Sequence, residues 1–225
     1  MSDTESTPEI DTPEGAAETD TETDTGTEDG TAATGNAAGG VPRRGPRTKP
    51  EPRRVSSLVL VATGDGKGKS TSAFGTVLRA VARDWRVLVV QFMKSGRWHV
   101  GEEAVARRLG VEWWTIGDGF TWESDDLDRS AAIAREAWAA AEAALAGGEY
   151  DVVVLDEVTY PITYGWVEGA RVYAAIKDRA PRTNVFCTGR GATDELVELA
   201  DTVTEMRMVK HAYASGVRAK RGIDF

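Results

Sequence analysis

The sequence predicts an α/β fold, a mostly parallel sheet of about six strands with helices on both faces. Three observations carry that prediction. From position 57 onward, short β-rich apolar runs alternate with longer stretches of helical spacing. The strand candidates are apolar at successive positions, as strands covered on both faces are. A glycine-rich loop joins the first strand candidate to the first helix candidate.

In chain order, Ser57–Ala62 is a continuous apolar run and the first strand. Ser70–Arg83 places Phe74, Val77, Leu78 and Val81 at i, i+3, i+4 and i+7, one face of a helix. Arg86–Phe92 reads as the second strand, Glu102–Leu109 as a short helix and Val111–Thr115 as the third strand. Trp113 and Trp114 are neighbours on that strand and point to opposite faces, where packing accounts for both. Leu127–Ala146 is the clearest helix, Ala-rich with Ile133, Trp138 and Leu145, and Gly147-Gly148 ends it. Asp151–Leu155 and Thr183–Cys187 are the fourth and fifth strands. Asp194–Ala200 is a helix before a sixth strand at Thr202–Arg207. Cys187, the single cysteine, falls in a buried strand and reads as a packed small apolar residue.

The chain divides by composition. Its 225 residues carry a net charge of −9, but residues 1–40 hold eleven acids and no base. Residues 41–54 hold six bases and one acid, so the first 54 residues account for −6 and the rest for −3. All seventeen aromatics follow position 54, and six of the eight prolines precede it. Such a segment buries too little apolar surface to offset its ordering entropy. Residues 1–54 therefore read as a disordered acidic tail with a Pro/Arg linker, and 55–225 as one folded domain. The bases at 43–54 read as a solvated linker, so nucleic acid is not an expected partner. One cysteine excludes a disulfide-stapled fold and a thiolate metal cluster. Apolar runs no longer than five residues exclude a membrane span. The acidic N-terminus shows no export signal, and a cytoplasmic location is expected.

Thr63-Gly64-Asp65-Gly66-Lys67-Gly68-Lys69-Ser70-Thr71 lies between the first strand and helix, the context of a phosphate-binding loop. Glycines let backbone N–H groups turn toward an anion, and the helix N-terminus adds partial positive charge. Lys69 can neutralise phosphate oxygens, and Ser70 can offer a hydroxyl to Mg²⁺. The fold is thus of the P-loop (RecA-like) type. Counted from Gly64, however, the loop is one residue shorter than the common G-x-x-x-x-G-K-[ST] pattern, which would need glycine where Thr63 stands. The fourth strand ends in Asp156-Glu157, where such proteins hold Mg²⁺ or orient water. The spacing alone does not choose between these two acids.

Several further stretches resemble the ATP:corrinoid adenosyltransferases. The shortened loop continues into Ala73-Phe74-Gly75. Val90-Gln91-Phe92-Met93-Lys94 is similar to that family's second strand and following lysine. Gly119-Phe120-Thr121-Trp122 is similar to its corrinoid-facing loop, and Leu155-Asp156-Glu157-Val158-Thr159-Tyr160 to its acidic strand end. Thr188-Gly189-Arg190-Gly191, Glu198–Glu205 and Val209-Lys210-His211-Ala212-Tyr213 with the ending Gly222-Ile223-Asp224-Phe225 follow in order. The resemblance covers roughly residues 57–225, and Ser70 departs from it by replacing a more usual threonine.

The resemblance implies transfer of the 5′-deoxyadenosyl group of ATP to the Co(I) of a corrinoid, with triphosphate leaving, in adenosylcobalamin biosynthesis or salvage. It implies ATP held by Gly64, Asp65, Gly66, Lys67, Gly68, Lys69, Ser70 and Thr71, with Lys94 as a further contact. Mg²⁺ or Mn²⁺ would be held by Ser70 and Glu157 or Asp156. Lys69, Phe120 and Trp122 would serve catalysis, the two aromatics by displacing the lower axial ligand of Co(II). The implied partners are ATP, a corrinoid and an electron donor such as a reduced flavoprotein, with a homodimer among the expected states. His211 is expected to make a structural hydrogen bond, and Arg190 either to reach the ligand or to form an ion pair. The competing readings are an ordinary P-loop ATPase or kinase, and a non-catalytic nucleotide-binding regulatory module.

Overall fold

The structure, a computed structural model, describes residues 51–94, 101–116 and 127–224. The acidic tail to residue 50, His99, Phe120 and Trp122 lie outside the described residues. Six strands form one all-parallel sheet: β1 (Val59–Thr63), β2 (Val87–Phe92), β3 (Glu112–Ile116), β4 (Val152–Asp156), β5 (Asn184–Thr188) and β6 (Thr202–Glu205). Their order across the sheet is β3-β2-β4-β5-β1-β6. The described helices are α1 (Lys69–Val81), α2 (Gly101–Arg108), α3 (Leu127–Gly147), α4 (Thr159–Thr163), α5 (Gly169–Lys177) and α6 (Asp194–Leu199), and a 3₁₀ turn spans Ala212–Ser215.

The two faces of the sheet form two apolar cores, as strand alternation requires. Val59, Val61, Leu88, Val90, Val153, Leu155 and Val185 pack with Trp138, Leu145, Val172, Ile176 and Leu196 from α3, α5 and α6. Ala62, Val87, Val89, Val154 and Phe186 pack with Phe74, Val77 and Ala106 from α1 and α2. Trp113 belongs to the second core and stacks 5.0 Å from Phe74, whereas Trp114 packs against the first. Every residue of β2 and β4 is buried, but all four of β6 are exposed. That strand pairs with β1 alone and lies at the sheet edge.

Two details differ from the sequence reading. In α1, Leu78 is exposed and the buried stripe is Ala73, Phe74, Val77 and Ala80. Ala73, Val77 and Ala80 recur at four- and three-residue steps and with Phe74 define the inward face, which leaves Leu78 on the solvent side. The stretch between β4 and β5, without a predicted element, holds α4 and α5. Pro161 sits inside the five-residue α4, and α5 starts at Gly169 without a side-chain cap, so local signals are weak. The spacing of Val172 and Ile176, both fully buried, was the available signal for α5.

Candidate nucleotide site at the carboxyl ends of the strands

The glycine loop leaves β1 and enters α1 through Gly68, whose φ of +105° a β-carbon would strain. The loop is clamped to the segment that follows β6. Gly66 donates its N–H to Met206 O at 2.7 Å, and Met206 donates to Thr63 O at 2.8 Å. A β-carbon on Gly66 would lie 2.7 Å from Met206 O and 2.8 Å from Arg207 O. Glycine is thus required here by close approach of two backbones.

Lys69 folds back along the loop, donating from Nζ to Gly66 O at 2.8 Å, with only 8% of the residue exposed. Burial lowers its pKa, and Glu157 opposes that shift. Together with Ser70, Thr71, Lys94, Glu157 and Arg190 it lines a cavity of about 330 Å³. The first turn of α1, whose N–H groups have no intrahelical partner, opens on the same space. Asp65 is a largely exposed member of the cavity wall, and Arg190 Nε lies 3.9 Å from its Oδ1. Lys67 is paired with Asp224 near the chain end. The Lys220 N–H and then the Lys67 ammonium hold the Asp224 carboxyl below its ordinary pKa.

The two acids at the end of β4 have different surroundings. Asp156 is fully buried and accepts from Gln91 Nε2 at 2.9 Å and from Thr188 Oγ1 at 2.7 Å. Lys94 Nζ stands 4.0 Å from the same carboxylate. Glu157 instead lines the cavity, and its buried Oε2 has no hydrogen-bond partner. Burial, then the neighbouring Asp156, raises the Glu157 pKa from 4.5 to about 7, against the pull of Lys69, Lys94 and Arg190. Both β2 and β4 are followed by a non-glycine residue in left-handed conformation, Met93 at φ +65° beside Lys94 and Glu157 itself at φ +60°. These turns accompany the delivery of an ammonium and a carboxylate to one cavity.

The structure therefore brings Asp65 to Thr71, Lys94 and Glu157 to one cavity, whereas Gly64 does not line it but packs against Met206, and Asp156 is separated from the cavity wall. Among the described residues no group of three or more His, Cys, Asp or Glu is preassembled for a metal. An ion held by one carboxylate and one hydroxyl, with phosphate and water completing its shell, suits Mg²⁺. Gln91, Thr188 and Tyr160 stand in the family-like motifs of the sequence without a role, and the structure supplies one for the first two at Asp156 and puts Tyr160 on the cavity wall. A polar residue within or ending an apolar strand was the signal for the first two. His211 Nδ1 accepts from Tyr213 N–H at 3.1 Å, a structural hydrogen bond as expected. Cys187 is fully buried, which pushes its thiol up to about 12. No described helix is long and apolar enough to cross a membrane.

Comparison with known proteins agrees with this geometry. The family model for ATP:corrinoid adenosyltransferase BtuR/CobO/CobP matches residues 56–225. A corrinoid adenosyltransferase of Escherichia coli K12 is 44% identical over 168 residues, 75% of this chain and 85% of that one. The Pseudomonas aeruginosa corrinoid adenosyltransferase is 46% identical over 170 residues, 75% and 83% of the two chains. Corrinoid adenosyltransferase CobA of Salmonella typhimurium is 42% identical over 168 residues, 75% and 85%. With a match that spans the sheet, the phosphate loop and the acidic strand end, this chain belongs to the ATP:corrinoid adenosyltransferase family.

Proposed function

We propose that this chain adenosylates a corrinoid: Co(I) attacks the 5′ carbon of ATP, the Co–C bond forms, the C5′–O bond breaks and triphosphate leaves. The observation that supports it best is one cavity that joins the shortened glycine loop to Lys69, Lys94, Glu157 and Arg190, in a chain of this family. A departing triphosphate develops charge on its bridging oxygen, and fixed cations and N–H groups around it lower the barrier without reorganising. Lys69 is the central cation, with Lys67, Lys94 and Arg190 around it. Arg190 stands between Gly189 and Gly191 and reaches the cavity from the end of β5.

Ser70 and Glu157 would hold the divalent ion, Mg²⁺ or Mn²⁺. Such an ion supplies charge neutralisation at the phosphate oxygens. The unpartnered Oε2 of Glu157 fits this role. Both oxygens of Asp156 already accept hydrogen bonds, so Asp156 serves to hold the site together. Phe120 and Trp122 would displace the lower ligand of Co(II), since an aromatic fills space without offering a lone pair. Their support is the Gly119-Phe120-Thr121-Trp122 motif. A reduced flavoprotein is the proposed electron source, a homodimer the proposed assembly and the cytoplasm the proposed location.

The test is incubation with ATP, Mg²⁺ and chemically reduced corrinoid, reading the product spectrum and the phosphate released. Adenosylcorrinoid with inorganic triphosphate is expected. ADP with orthophosphate, or ATP binding without turnover, would overturn the proposal.

A further inference from the structure

The turn that carries Glu157 is held from a neighbouring strand. Its φ of +60° is unfavourable for a residue with a β-carbon, so its conformation depends on its surroundings. Its N–H donates to Thr188 Oγ1 at 3.0 Å, across from the end of β5. The same hydroxyl donates its proton to Asp156 Oδ1 at 2.7 Å. Thr188 is fully buried, as is Asp156. A hydroxyl has one O–H to donate and lone pairs to accept with, and here both functions are used.

The strand after Thr188 is fixed as tightly. Gly189 has φ +142°, and a β-carbon there would lie 2.0 Å from Thr159 Oγ1. One residue further, Arg190 lines the cavity. The end of β5 is therefore tied to the β4 turn on one side of Thr188 and carries a cavity cation on the other.

We propose that Thr188 is a positioning residue: its hydroxyl locks the left-handed turn that presents the Glu157 carboxylate to the cavity and keeps it in register with Arg190. The inference rests on the reading of Glu157 as a ligand of the divalent ion. Thr188 itself touches neither nucleotide nor ion and acts through Glu157. Losing a hydrogen-bonded residue behind a metal ligand typically weakens metal affinity about 10- to 100-fold.

The experiment titrates Mn²⁺ by electron paramagnetic resonance into ATP-loaded protein without corrinoid, so that no turnover intervenes. Wild type, Thr188→Val, Thr188→Ser and Glu157→Gln are compared, with thermal unfolding of each. Thr188→Val should raise the half-saturating Mn²⁺ about 10- to 100-fold, and Thr188→Ser, which keeps the hydroxyl, should return close to wild type. If Thr188→Val does not fold, Thr188→Ala replaces it with the same expectation. Wild-type Mn²⁺ affinity in the Val or Ala variant overturns the inference, as does equal weakening in Val and Ser, which would mean packing alone. Unchanged affinity in Glu157→Gln overturns the ion-ligand reading instead, so the two failures are distinguishable.

Discussion

Two glycine-to-alanine exchanges nine positions apart should have opposite effects. Gly66 is buried, and its N–H bonds Met206 O at 2.7 Å. A β-carbon there would meet Met206 O at 2.7 Å, Arg207 O at 2.8 Å and Met206 C at 2.8 Å. All three are backbone atoms, so no side-chain rotation relieves the overlap. Overpacking of this kind costs about 1–3 kcal/mol, and the strained hydrogen bond adds about 1. Gly66→Ala should thus destabilise the protein by about 2–4 kcal/mol and open the phosphate loop. Gly75 lies inside α1, and a β-carbon there meets nothing within 4 Å. Gly75→Ala should stabilise by about 0.5–1 kcal/mol, the ordinary gain in a helix interior. Urea unfolding followed by tryptophan fluorescence measures both, read as midpoint shifts at constant m. Calorimetry of ATP binding completes the test. A Gly66→Ala protein with wild-type midpoint and ATP affinity would refute the clamp between the loop and the segment after β6.

Lys69→Ala should lower turnover by ~10²–10³ with the fold retained; a folded variant with near-wild-type turnover would remove Lys69 from the leaving-group site. Because the Glu157 pKa is raised from 4.5 to about 7, its protonated form favours the folded, ligand-free chain. That stabilisation is complete below pH 4.5 and lost as pH rises through about 7. It amounts to at most about 3 kcal/mol, and Glu157→Gln should flatten this part of the stability–pH curve, which urea midpoints from pH 4 to 8 would show. An identical slope in the variant would place the titration elsewhere. Phe120→Ala and Trp122→Ala should impair adenosylation far more from Co(II) than from pre-reduced Co(I), with ATP affinity little changed. Equal losses from both starting states, together with lower thermal stability, would make these aromatics packing residues.

Much of the fold was legible because its signals are local. Apolar runs at 152–155 and 87–90 mark strands buried on both faces, and α3 announces itself through its alanines and the Gly147-Gly148 stop. α4 and α5 lack local start signals, because one is a single turn around Pro161 and the other a nine-residue helix that opens on Gly169 without a side-chain cap, with only the Val172 and Ile176 spacing to mark it. The inward face of α1 excludes Leu78 although it falls at apolar helical spacing, since which side of the helix meets the sheet is set by the tertiary packing. The α1 stripe uses alanines that carry little hydrophobic signal of their own.

The sequence by itself placed the glycine loop between a strand and a helix, because its glycines, Lys69 and Ser70 lie in one continuous stretch, whereas its clamp to Met206 after β6 came only with the fold. The strand order was decided in three dimensions: β4 lies between β2 and β5, elements far apart in the chain. That order set the different surroundings of Asp156 and Glu157, adjacent residues with the same functional group. Gln91, 65 residues before Asp156, and Thr188, 32 residues after it, occupy both Asp156 oxygens. The same Thr188 holds the turn that sends Glu157 to the cavity. Partners that distant meet only when the parallel sheet has formed, so no local pattern around the two acids could have separated them.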